Sequence, residues 1–267
     1  MRLPIYQIDA FADRVFAGNP AAVVPLQEWL PDAVMQAIAQ ENNLSETAYL
    51  VPKGEGVWGL RWFTPEVEVD LCGHATLASA HLLMGVLHPG LTRVAFDTVK
   101  AGRLTVTREG EVYTLDFPAR PPAETQVDPE LAEILGGPAP KAILASRDYL
   151  VVYDDAETVR ALEPNLDRLT RIDRFAVIVT AAGGTGADTD VDFVSRFFAP
   201  SKGVPEDPVT GSAHCTLIPY WAERLGRTQL EARQVSKRGG RLHCRLEGDR
   251  VKIGGRAVLY LEGHIHV

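Results

Sequence analysis

The stretch EDPVTGSAH, residues 206–214, gathers Glu206, Asp207, Gly211, Ser212 and His214 at what reads as the start of a helix. Carboxylates, a hydroxyl and an imidazole in such a place suit acid/base work on a small anion. Asp207 stands ahead of Pro208 and Gly211. It reads either as a group that handles a substrate proton or as a loop carboxylate that helps cap the helix. Ser212 has the same double reading, as an N-cap or as a hydroxyl that binds a substrate carboxylate. His214 and Cys215 fall in the helix body and are expected in the core. A second set lies earlier in the chain. Glu46, in NNLSETAYL, sits between a helix that ends near Glu41 and a strand that begins near Thr47. Functional groups concentrate at such junctions. The apolar run Ala48, Tyr49, Leu50 and Val51 places Glu46 beside a core, where burial adapts a carboxyl to proton transfer near neutral pH. His74 follows Gly73 at another helix start, as a catalytic imidazole, a cap or a core residue.

The elements that must carry these residues are mostly short strands. Residues 6–11, 21–25, 58–63, 94–96, 104–106 and 113–117 read as strands in the first half. Residues 149–153, 175–180, 191–198, 241–246, 251–253 and 257–261 do so in the second. In the strand at 58–63, Trp58, Leu60 and Trp62 alternate onto one face. Helices are predicted from Leu30-Pro31-Asp32 to about Gln40, from Asp128-Pro129-Glu130 to Gly136-Gly137, and over 155–162. Two more, 75–86 and 212–225, are apolar almost all round and therefore buried. Phe117 to Ala123, with three prolines, reads as a semi-rigid linker between two halves.

The two buried helices follow similar segments. RWFTPEVEVDLCGHATLASAHLL (61–83) and SRFFAPSKGVPEDPVTGSAHCTLIPYW (195–221) each run from a strand ending in Phe-x-Pro, through an acidic loop, to a glycine that opens a helix. Gly73 and Gly211 are then counterparts. The first turn of a helix leaves backbone N–H groups unpaired and carries partial positive charge. Two such turns can hold a small carboxylate, and glycine lets the backbone approach it closely.

Bulk properties exclude several functions. The 267 residues suffice for two cores, and 46% hydrophobic content is that of a globular chain. A net charge of −8 leaves no clustered basic face for nucleic acid. No apolar run reaches the ~18 residues of a membrane span, and the opening MRLPIYQIDAFADRV lacks the apolar core of a secretion signal. Three scattered cysteines, Cys72, Cys215 and Cys244, fit a reduced, cytoplasmic protein. Gly183-Gly184-Thr185-Gly186 lacks the ending of a phosphate loop. His264 and His266 share one side of a strand without a third ligand, so no metal site is expected.

Four blocks, IDAFADRVFAGNPAAVV, ENNLSETAYLV, LRWFTPEVEVDLCGHATLASAHLL and DFVSRFFAPSKGVPEDPVTGSAHCTLIPYW, resemble in content and order the signature segments of the PhzF-like family of phenazine biosynthesis proteins. The resemblance runs from Ile8 to about Tyr260. It implies an α/β (α+β) architecture of the diaminopimelate-epimerase-like kind, with two pseudo-symmetric domains, each a rolled sheet or barrel around a central helix. The domains would be 1–117, around helix 75–86, and 124–267, around helix 212–225, with the last strand able to pack back on the first domain. An active site between the domains, no cofactor and a homodimer are also implied.

By the same resemblance, the reaction is an isomerisation of a small carboxylate-bearing metabolite by intramolecular proton transfer. The family's characterised member acts in this way on a dihydro-hydroxyanthranilate. Glu46 maps onto the acid/base, with His74 and Asp207 as its catalytic partners, and Gly73, Gly211, Ser212 and Asn19 map onto substrate contacts. One departure stands out. The racemase and epimerase branch uses a cysteine at each helix start. Cys72 matches the first, but Thr210 occupies the second. Two alternatives remain: an amino-acid epimerase or racemase using Cys72, and a protein that binds a small acid without turning it over.

Overall fold

The computed structural model describes all 267 residues, Met1–Val267. They form two compact units, residues 1–116 with 254–267, and residues 117–253.

The first unit begins with β1 (Arg2–Ala10), β2 (Asn19–Pro25), α1 (Asp32–Asn42), β3 (Glu46–Gly54) and β4 (Val57–Phe63). The short β5 (Glu68–Val69), α2 (Gly73–His81), β6 (Arg93–Thr98), β7 (Arg103–Glu109) and β8 (Val112–Pro118) follow. Along the sheet the strands lie in the order β1-β2-β3-β4-β6-β7-β8, with β5 paired to β4. Two neighbouring pairs, β2–β3 and β4–β6, are parallel. A parallel neighbour cannot be reached through a tight turn, so each such pair needs a long crossover. The first crossover carries α1, whose Met35, Ile38 and Ala39 pack in one core with Leu3, Val24, Tyr49 and Phe63. The second carries α2.

Every residue of α2 from His74 to Ala80 is buried, and the helix packs on β1, β2 and β3. Its small side chains, Ala75, Thr76, Ala78, Ser79 and Ala80, let the strands approach it on all sides. The helix expected over 75–86 in fact starts at Gly73 and leaves α geometry after His81. Leu82–Leu87 forms a π turn, with the His88 N–H reaching back to Leu83 O at 2.7 Å. Arg108 Nη1 donates to Met84 O at 2.6 Å, which supplies a partner from outside the helical ladder.

The second unit contains α3 (Leu131–Leu135), β9 (Ala142–Ala145), β10 (Tyr149–Val152), α4 (Ala156–Ala161), α5 (Leu166–Leu169) and β11 (Val177–Ala182). After these come β12 (Phe193–Phe198), α6 (Gly211–Leu225), β13 (Gln229–Gln234), β14 (Gly240–Glu247) and β15 (Arg250–Gly255). The strand order from β9 to β15 is sequential, with parallel pairs at β10–β11 and β12–β13. This repeats the first unit strand for strand. Both units place their parallel pairs at the second and fourth steps, and both pass a buried helix through the later crossover.

In α6, Ala213 to Ala222 are buried. Pro219 inside the helix has no N–H for the Cys215 carbonyl. The Arg120 N–H takes that carbonyl instead, at 2.8 Å. The proline-rich stretch expected as a linker is therefore tied down: Ala119 N–H bonds Asp249 O and Ala123 N–H bonds Ala145 O, each at 2.8 Å. The last strand, β16 (Ala257–His266), pairs antiparallel with β1 from Ala10↔Ala257 to Arg2↔His266. Residues 254–267 accordingly lie in the first unit rather than the second. No helix is long and apolar enough to cross a membrane.

Candidate active site

In the first unit three chain segments bring polar side chains together. Gly18 turns the chain into β2 with φ +65, and a Cβ there would lie 2.2 Å from Ala10 O. Only glycine fits, and it sets the next residue, Asn19, at the head of the strand. Glu46 heads the parallel neighbour, in register with Ala21. The end of α1 is fixed ahead of it by Asn43 in the left-handed region and by Asn42 Nδ2 donating to Thr47 Oγ1 at 3.0 Å. Cys72, Gly73 and His74 form the entry to α2, whose N-cap residue Cys72 makes no side-chain cap hydrogen bond.

These segments meet at His74. Its Nδ1 lies 3.1 Å from Asn19 Nδ2 and 3.5 Å from Cys72 Sγ. Its Nε2 lies 3.0 Å from Glu46 Oε2. The Glu46–His74 pair is at contact distance but bent away from a hydrogen-bond line, so neither atom has an aligned partner. Such misalignment is common in acid/base pairs before substrate arrives. Asn19, His74 and Cys72 are buried, and the Glu46 side chain keeps only 15% of its exposure.

Burial opposes a charge on His74, but the groups beside it, the Glu46 carboxylate among them, outweigh burial and hold its pKa above the ordinary histidine value. Burial, and then the charge of Glu46, push the Cys72 thiol up to about 11. Cys72 is thus a neutral thiol at neutral pH, and the Glu46 carboxylate is what sustains the imidazolium. Glu46, Cys72 and His74 also offer ligand atoms within 4.8 Å of one another, a donor set of the kind that holds a divalent cation. The raised thiol works against that use, because metal ligation requires the thiolate.

The second unit contributes a differently built helix start. Thr210 is the N-cap residue of α6, again without a side-chain cap bond, and Ser212 lies inside the first turn rather than at the cap. Thr210 Oγ1 donates to Asp207 Oδ2. Gln234, fully buried at the end of β13, accepts the Thr210 N–H at 2.8 Å. Its amide nitrogen donates to Asp207 O at 2.7 Å and to Thr210 Oγ1 at 3.2 Å. Ser212 Oγ accepts from Arg147 Nη2 at 3.2 Å. His214 is buried in the helix body, with Nδ1 bonded to Thr210 O at 2.8 Å, and burial pushes it down to about 4.

The structure thus groups Asn19, Glu46, Gly73 and His74 in the first unit, and Asp207, Gly211 and Ser212 in the second. Sequence reasoning missed Gln234 and Arg147. Gln234 ends a strand whose only buried partners are Leu230 and Ala232, too weak an alternation to signal. His264, paired with Arg2 Nη2 at 3.2 Å on an exposed strand, has no part in either group.

Two α/β units of one topology, each with an uncapped buried helix that starts among polar side chains, define an epimerase-like architecture. A solved hydroxyproline epimerase from Agrobacterium vitis shares that fold, with a TM-score of 0.61 at 12% identity over 99% of this chain and 92% of that one. The family model for phenazine biosynthesis-like proteins matches residues 8–263, and the chain belongs to that PhzF-like family. A Pseudomonas aeruginosa protein named as an uncharacterized isomerase is 53% identical over 268 residues, covering 100% of both chains. The crystal structure of a PhzF-family protein from Enterococcus faecalis aligns with a TM-score of 0.95 at 48% identity, over 100% of each chain.

Proposed function

We propose that the protein is an isomerase of a small carboxylate-bearing metabolite, working by proton transfer through its own side chains. The observation that carries this reading is the Glu46 Oε2 to His74 Nε2 approach of 3.0 Å at the uncapped start of α2. The name of the Pseudomonas relative, an isomerase, supports it.

In this reading the Glu46 carboxylate takes a proton from a substrate carbon, and the C–H electron pair moves into the conjugated acid. The protonated Glu46, whose carboxyl proton can exchange with water, then delivers a proton to a different carbon, so the composition of the substrate is unchanged. His74, charged through its neighbours, orients Glu46 and offsets the developing negative charge. Each uncapped helix start, with the Gly73 amide in the first unit and the Gly211 amide and Ser212 hydroxyl in the second, is suited to hold a carboxylate or an enolate-like charge. Asp207, fixed by Thr210 and Gln234, orients the substrate or shares the proton traffic.

The Cys72 alternative is disfavoured by a thiol pushed up to about 11 and by threonine at the second helix start. Binding without turnover is disfavoured because Glu46 faces His74 rather than solvent. The test is deuterium incorporation from D₂O into small conjugated carboxylic acids, read by NMR. Glu46→Gln is expected to lower the exchange rate by about 10²–10⁴-fold. Exchange at the wild-type rate in that variant would refute the role of Glu46.

A further inference from the structure

Arg147 has no role in the proton-transfer reading, yet its guanidinium is held by several partners. It stands in the turn between β9 and β10. Its Nε and Nη2 donate to the two oxygens of Asp148 at 3.0 and 2.9 Å, and Asp148 is 1% exposed. Nη2 also reaches Ser212 Oγ at 3.2 Å, on the first turn of α6. The guanidinium carbon lies 4.4 Å from the centroid of the Phe175 ring, and Lys202 Nζ lies 5.3 Å from the same ring. A fork on a buried carboxylate and a stack on an aromatic face remove most of the freedom of a long side chain before any ligand arrives. The side chain nevertheless keeps 34% of its exposure. The fork uses the Nε and Nη2 edge of the guanidinium.

The first unit contains a matching arrangement. There Asn19, at the head of the second strand, meets His74, the second residue of α2, at 3.1 Å. In the second unit Arg147, two residues ahead of its second strand, meets Ser212, the second residue of α6, at 3.2 Å. The same topological place that holds an amide against an imidazole in one unit holds a fixed cation against a hydroxyl and an uncapped helix start in the other.

We propose that Arg147 reads a carboxylate of the substrate, through its half-exposed guanidinium together with Ser212 and the first-turn amides of α6. The protein then discriminates a carboxylate from the neutral amide of the same shape. This rests on the reading of the site given above, and deepens it by assigning the anion-selecting group. A purely structural Arg147 would serve only to neutralise Asp148.

The backbone amides of Gly211 and Ser212 are to be followed by ¹⁵N NMR during titration with formate, fumarate and benzoate, and with benzamide as the neutral control. In the wild type at least one carboxylate is expected to shift both amides, and benzamide is not. Arg147→Met should weaken that binding at least tenfold, and Arg147→Lys should recover part of it. The double variant R147M/D148N removes both charges together and so restores folding without restoring the cation. If it binds carboxylate as the wild type does, or if no carboxylate shifts the wild-type amides, the proposal is wrong. Glu46→Gln separates this from the proton-transfer reading, because it should keep carboxylate binding while losing exchange.

Discussion

His74 has a different neighbour at each ring nitrogen, Asn19 at Nδ1 and Glu46 within 3.0 Å of Nε2, and this decides what its proton can do. Asn19 suits both states of the ring, since its amide nitrogen donates to a neutral Nδ1 and its oxygen, turned over, accepts from an imidazolium. Burial works against the charge, and the Glu46 carboxylate works for it. A histidine whose folded pKa is raised contributes stability that is complete below the unfolded value of about 6.5 and is lost as pH rises through the folded value. Glu46→Gln removes the carboxylate and should move the His74 midpoint down, which an NMR titration of the ring would read. Cys72 enters only as a neutral thiol. Cys72→Ser should therefore keep exchange within about tenfold of the wild type, whereas loss of a general base costs about 10²–10⁴-fold. A loss of the larger size would restore the Cys72 epimerase reading.

At the scale of elements, the helix starts depend on residues distant in sequence. The loop from Asp207 to Thr210 is held by Gln234 at the end of β13, by Ser236 Oγ donating to Pro208 O at 2.7 Å, and by the Asp207 N–H on Phe197 O at 3.0 Å. Gln234→Leu would leave the buried Thr210 N–H without its acceptor and the Asp207 carbonyl without its donor. An unpaired buried polar group costs about 1–3 kcal/mol, so urea unfolding should show a loss of that order per group. An unchanged midpoint would mean that the loop keeps its shape without Gln234. The entry to β2 depends in the same way on Gly18, where a Cβ would meet the Ala10 carbonyl.

At the scale of the whole molecule, one topology occurs twice with different chemistry on it. The first unit places ionisable groups, Glu46 and His74, at its helix start, and the second places Asp207, Ser212 and Arg147. Two histidines, His214 buried and His81 half-buried, also shape the acid response of the chain. Burial pushes His214 down to about 4, and burial with the nearby charge of Arg108 does the same to His81. Both are neutral when folded and would charge on unfolding. The unfolded chain binds more protons between about pH 6.5 and 4, so stability falls as pH falls through that window and levels off below it. Each contributes on the order of 3 kcal/mol at most. Urea midpoints at pH 7 and pH 5 should differ accordingly. Equal midpoints would show that these two histidines are not held neutral.

The sequence by itself determined the repeat, the two buried helices and the candidate residues at their starts. Gly73, His74, Gly211, Ser212 and Asp207 sit next to a local signal, a glycine opening an apolar helix, and Glu46 sits at a helix-to-strand junction. Such signals depend on near neighbours in the chain and can be read from spacing. His214 could be placed in the core for the same reason, since its helix is apolar all round. Tertiary structure decided what depends on distant pairing. It joined β16 to β1, drew Met84 O to Arg108 in a π turn, gave Cys215 O to Arg120 in place of the N–H that Pro219 lacks, and set Gln234 and Arg147 against the start of α6. None of these has a period or a motif, because each follows from which backbone and side-chain groups were left unpaired once the strands had found their partners.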